Sequence, residues 1–197
     1  MTRTIVLPKE LEERLYGLIQ TREESNGILL YRKVQGHCFV EHLFMTGIGT
    51  EGNVKAFQER MNVVNEFFRA HPEYKYIKFH AHTKGTIEKH GQRYAREFSS
   101  GDRAGTQEQL RHNPEFIALL VTPETILLDA PDNPQLRTCP SLPKFMHEKV
   151  QRKINEAAER IGIRLGNFDL GRFSGTRRLA RRRPFEVHKR APRSRPR

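Results

Sequence analysis

The chain has 197 residues and a mass of 23.0 kDa, which suits one domain of ordinary size with an appendage. Apolar residues make up 36%, enough for a single core, and no apolar run approaches the ~18–20 residues of a membrane helix. The first twelve residues lack the pattern of a secretory leader, and two cysteines, Cys38 and Cys139, in no CxxC pair, cannot build a disulfide framework. A secreted mini-protein, a membrane protein, a collagen and a zinc-finger array are thereby excluded, and a reducing cytoplasm is the expected compartment. The net charge of +12 is concentrated at one end: residues 177–197 hold ten Arg or Lys and one acid, Glu186. The basic pI of about 10.1 is therefore mostly a property of that end and does not by itself mark the folded part as a nucleic-acid binder.

In chain order, residues 8–22 read as a helix, with Pro8 in the first turn and Leu11, Leu15, Leu18 and Ile19 at helical spacing. An apolar strand follows at Gly27–Tyr31, then a hairpin turn at Gln35-Gly36 and a second strand over about 37–45. Residues 47–53 are glycine-rich and read as a loop. Asn53 caps a helix reaching Ala70, with Val54, Phe57, Met61, Val64 and Phe68 on one face and Pro72 as its stop. Tyr76–Phe79 is a short strand, and a helix is expected from about Asp102 to His112. Strands are expected over 116–122 and 125–128, a proline-rich loop over 130–143, and a helix over about 144–161. This order predicts an α/β domain, a mixed β-sheet with flanking helices, spanning 1–170. The Arg- and Pro-rich segment 171–197 cannot bury enough surface to fold alone and reads as a flexible basic tail.

The chemistry concentrates at His80-Ala-His82, at the end of a predicted strand. Residues two apart on a strand face the same way, so both imidazoles can reach one ion at ~2.0–2.1 Å. Asp102 can add a carboxylate. Two His and one carboxylate, with a fourth position left to water, is a catalytic rather than a structural zinc pattern. On the histidine pair alone, polar residues at a strand end are the simpler account. Six other histidines (37, 42, 71, 112, 147 and 188) read as surface or satisfied core residues, and neither cysteine is given a catalytic role.

Glu24-Ser-Asn-Gly27-Ile-Leu-Leu30, His80-Ala-His82-Thr83, Ser99-Ser-Gly-Asp102 and Thr122-Pro123 together resemble the JAMM (MPN+) metalloprotease family, the zinc isopeptidases that include the proteasome-lid deubiquitinase and prokaryotic relatives. The likeness covers roughly residues 5–130. Thr83 stands where the family has proline, and sixteen residues separate His82 from Ser99 where the family has eight, so the likeness implies an insertion at about 83–98. It also implies an MPN-type fold, one Zn2+ held by His80, His82 and Asp102, Glu24 as general base and then general acid, and Ser99 as donor to the oxyanion. His90, Glu88 and Glu97 are the rival third ligands, Ser100 the rival serine and Glu23 the rival base.

The resemblance further implies removal of ubiquitin or a ubiquitin-like modifier from lysine. An extended tail would be held by backbone hydrogen bonds, and the loops 47–53 and 83–98 would be candidates for the contact. Processing of a sulfur-carrier precursor, a non-catalytic scaffold in a proteasome-like or conjugation complex, and nucleic acid bound through the basic tail are the alternatives.

Overall fold

Thr4–Pro8 forms a first strand (β1), with Ile5 and Leu7 fully buried. The sequence pattern instead starts a helix at Pro8. Here proline ends the strand and stands as the extended residue before the helix Lys9–Leu18 (α1), whose buried face is Leu11, Leu15 and Leu18. The structure is a computed structural model describing residues 3–21, 23–49, 56–140 and 144–165. Ser25–Val34 (β2) and His37–Ile48 (β3) form the expected hairpin. Its turn places Gln35 (φ 50°) and Gly36 (φ 82°) in left-handed conformations. The strand β3 runs through Ile48, so the loop expected from 47 begins later. Asn53 and Val54 lie outside the described residues.

The next helix, Gln58–Ala70 (α2), buries Val64 of the predicted stripe together with Val63 and Phe67, while Met61 and Phe68 are half-buried and Phe57 precedes the helix and is exposed. Tyr74–Ala81 (β4) follows. The predicted insertion holds a short helix, Lys84–His90 (α3), and a 3₁₀ turn, Gln92–Ala95. Ser100–His112 (α4), Ala118–Val121 (β5) and Ile126–Asp129 (β6) come next. Gln135–Cys139 (β7) lies inside the stretch read as a proline-rich loop. It pairs parallel to β1 at the sheet edge, with Pro134 just before it and Pro140 just after, where a missing N–H costs little. Lys144–Arg160 (α5) closes the described fold.

The strands make one mixed seven-stranded sheet in the order β6-β5-β4-β2-β3-β1-β7, so the chain is an α/β domain. Alternation along β2 separates its two faces. Leu29 and Tyr31 enter the core beneath α1, and Ile28 and Leu30 enter the core beneath α2 and α5. Along β4, Ile77, Phe79 and Ala81 join the α1 core, which turns Lys78 and His80 to the opposite face. No helix among the described residues is long and apolar enough to cross a membrane.

Two core positions depart from ordinary packing. Gly27 lies on central β2, beside a register shift, between β3 and β4. A Cβ there would collide with the Phe44 carbonyl oxygen and stand 2.7 Å from the Phe79 ring. Gly27→Ala is therefore expected to cost about 3 kcal/mol and lower Tm by ~6–12 °C in a thermal melt; an unchanged Tm would contradict the close approach. His42, read from sequence as a surface or satisfied residue, is buried on β3, and its Nδ1 has no hydrogen-bond partner among the described residues.

Candidate metal centre

The two histidines owe their common direction to pairing on both sides of β4. His80 is registered against Asn26 on β2 and Leu120 on β5. The His82 backbone N–H donates to the Val121 carbonyl at 2.9 Å, which carries the extended path one residue past the strand. The third group comes from α4. Ser99 caps this helix: its N–H donates to Asp102 Oδ2 at 2.8 Å, while Asp102 N–H donates to Ser99 Oγ at 3.2 Å. The SxxD spacing is thus a capping box, and the same box fixes the direction of the Asp102 carboxylate.

His80 Nε2 and His82 Nε2 stand 3.3 Å apart. Asp102 Oδ1 is 3.1 Å from the former and Oδ2 is 3.4 Å from the latter. A tetrahedral ion with ligands at ~2.0–2.1 Å spaces those ligands roughly 3.3 Å apart. His82 Nδ1 lies 2.9 Å from the Tyr94 carbonyl oxygen. That oxygen can only accept, so Nδ1 carries the proton and the Nε2 lone pair is left for a cation. The donor set therefore fits a zinc-type ion: two imidazoles and a carboxylate, with one imidazole already in the ligating tautomer. Among the described residues these three form a group whose ligand atoms all lie within 4.8 Å.

The local electrostatics agree with this arrangement. Burial opposes ionisation of Asp102, but hydrogen bonds to His80, His82 and Ser99 outweigh it and hold the carboxyl well below its usual range. Burial likewise disfavours a charged His82; its bonds to Asp102 and the Tyr94 carbonyl prevail and raise its pKa.

Glu24 precedes β2 and is buried. Its carboxylate Oε1 accepts from the Thr86 hydroxyl at 2.8 Å, and Thr86 Oγ1 is 3.2 Å from Thr83 Oγ1. Thr83 caps α3, so the helix that follows β4 reaches back to hold Glu24. The Asn26 side-chain oxygen accepts from the Thr46 hydroxyl at 2.9 Å. A cavity of about 340 Å³ joins these groups, with Glu24, Asn26, His80, Ser99 and Asp102 on its wall together with Lys78 and one face of α4.

All five residues singled out from sequence thus converge: His80, His82 and Asp102 on one point, with Glu24 and Ser99 on the cavity beside it. The rivals do not. Glu23, Glu88, Glu97 and Ser100 are exposed, and His90, also exposed, stacks against Tyr94 at 5.3 Å between ring centroids. Thr86, Asn26 and Lys78 escaped the sequence reading. Lys78 had a visible signal, being two residues before His80 on the same strand face. Thr86 had a weaker one, the capping spacing after Thr83.

No protein-family model matches the chain, and no curated protein matches it. Among solved structures, the solution structure of protein DSY2949 from Desulfitobacterium hafniense is similar, with a TM-score of 0.47 and 17% identity over 73% of this chain and 99% of that one.

Proposed function

We propose that the chain is a zinc-dependent hydrolase of the JAMM type, with an MPN-type fold, that cleaves a peptide or isopeptide bond joining a ubiquitin-like modifier to an amine. The observation that carries this reading is the convergence of His80, His82 and Asp102 at tetrahedral spacing beside a buried, oriented Glu24. A bound zinc would be held by those three residues; it would polarise the scissile carbonyl and bring the pKa of a water down toward ~7. Glu24 would take a proton from a water at this site and later pass it to the departing amine. Thr86 holds Glu24 by one oxygen, leaving the other for the proton. Ser99 Oγ accepts from the Asp102 N–H, so its own hydroxyl hydrogen is free to donate to the oxyanion that develops as the carbonyl is attacked.

The test is elemental analysis of untagged full-length protein purified without chelator, followed by cleavage of ubiquitin-like conjugates. The expected result is one zinc per chain, with turnover abolished by a chelator and restored by added zinc. A chain that binds no zinc when it is added back would sink the reading. So would a zinc-loaded chain that leaves every peptide and isopeptide substrate intact.

A further inference from the structure

Beside the metal ligands, the cavity carries a cation that the hydrolytic steps above do not use. Alternation along β4 puts Lys78 on the face of His80, with Cα atoms one strand repeat, about 6.6 Å, apart. Its partners across the sheet are Ile28 on β2 and Ala118 on β5, neither of which offers a charge. Lys78 is exposed, lines the cavity and makes no ion pair among the described residues. The acids on the same wall are otherwise engaged: Glu24 receives the Thr86 hydroxyl, and Asp102 faces both histidines and the Ser99 N–H. The remaining polar groups, Asn26, Thr106 and Gln109, are neutral. Among the described residues the lysine ammonium is thus left without a direct ion-pair partner.

The opposite wall is cut back to admit something. Gly101 and Gly105 lie four apart on α4 and so on one helix face. A Cβ at Gly105 would meet nothing within 4 Å, and one at Gly101 only Ser99 Oγ at 3.7 Å. Glycine inside a helix costs roughly 1 kcal/mol relative to alanine, and these two leave the space open. The volume of about 340 Å³ lies at the small end of the ~300–1,000 Å³ usual for ligand sites. It suits a single residue rather than a folded surface.

We propose that Lys78 makes this cavity a receptor for a carboxylate within one residue of the scissile bond, so that the favoured leaving group is an anionic amino acid rather than an internal lysine of a folded protein. The inference rests on the hydrolytic reading for its catalytic part, but the receptor itself does not require turnover. The carboxylate has two sources, the free α-carboxylate of a C-terminal residue or an acidic side chain.

The test uses zinc-loaded full-length protein and four acyl-glycyl substrates: Gly-Ala with a free C-terminus, its C-terminal amide, Gly-Glu with both ends blocked, and a blocked Gly–Nε-lysine isopeptide. The free acid is expected to exceed its amide at least tenfold in kcat/KM, mainly through KM. Lys78→Gln should erase the preference, Lys78→Arg should keep it and Lys78→Glu should reverse it. A preference for blocked Gly-Glu over the amide, also lost in Lys78→Gln, assigns the acidic side chain as the source. In parallel, Gly-Ala and its amide are titrated by NMR into the zinc-loaded Glu24→Gln protein, expecting shifts on β4 and α4 for the acid alone. Equal treatment of the free acid, the amide and blocked Gly-Glu, or a preference that survives in Lys78→Gln, overturns the proposal. Lysine-dependent binding with no cleavage of any substrate would instead overturn the hydrolytic reading and leave the receptor standing.

Discussion

Glu24→Gln is expected to keep one zinc per chain and to lower kcat by about 10²–10⁴-fold, the usual worth of a positioned general base. Glutamine is nearly isosteric and can still accept the Thr86 hydroxyl, now 2.8 Å from the carboxylate, through its amide oxygen. The cavity wall and the three proposed ligands are therefore preserved, while the proposed proton-transfer group is lost. The paired measurement is zinc stoichiometry by elemental analysis with single-turnover kinetics on one substrate. Loss of zinc along with activity would show that Glu24 supports the ligand set and is not simply the base. Retained activity would remove Glu24 from the mechanism.

Acid is expected to destabilise the fold through a group far from the metal ligands. Burial pushes the His42 imidazole down to about 3. Arg14 on α1 and His147 on α5 add positive charge against it, and a hydrogen bond with Gln151 on α5 opposes the shift in part. The folded chain thus holds His42 neutral while the unfolded chain protonates it near pH 6.5. Its contribution to stability is complete above 6.5 and is lost as the pH falls from 6.5 toward 3, at about 1.4 kcal/mol per unit. At pH 4.5 the loss is ~3 kcal/mol. The measurement is urea unfolding at pH 7.5 and 4.5 for wild type and His42→Leu. The contributions of Asp102 and His82 are common to both chains and cancel in the difference. A leucine variant that loses as much stability in acid as wild type would discount His42.

Much of this architecture is legible in the residues. Leu11, Leu15 and Leu18 announce α1 by spacing, and Gln35-Gly36 announces the hairpin. His80 and His82 announce their shared face by strand alternation. What escaped depends on distant partners. β1 is short and proline-ended, and it is a strand because β3 and β7 flank it. β7 has mostly exposed or half-buried side chains, so no apolar period marks it. Asp102 was reachable because SxxD has a local cause, the capping box, which survives any change in the length of the preceding segment. The capping spacing after Thr83 could mark Thr86 as a helix-start residue, but nothing near it in sequence indicates that its hydroxyl meets Glu24, 62 residues earlier. The segment 171–197 lies outside the described residues, and its basic character stands as a fact of composition.

The hold of Thr86 on Glu24 sets a limit on durability. Thr86 belongs to α3, a helix of seven residues, well below the ~12–15 at which helices begin to stand alone in water. The strand that carries His80 is paired on both sides, to β2 and to β5. The proposed proton-transfer group is therefore steadied by the shortest helix of the site, whereas two of the three proposed metal ligands sit at the end of a central strand. Warming or mild denaturant should silence turnover while the zinc stays bound and the sheet intact, and cooling should restore it. On this reading, inactivation and unfolding are expected to be two separate events.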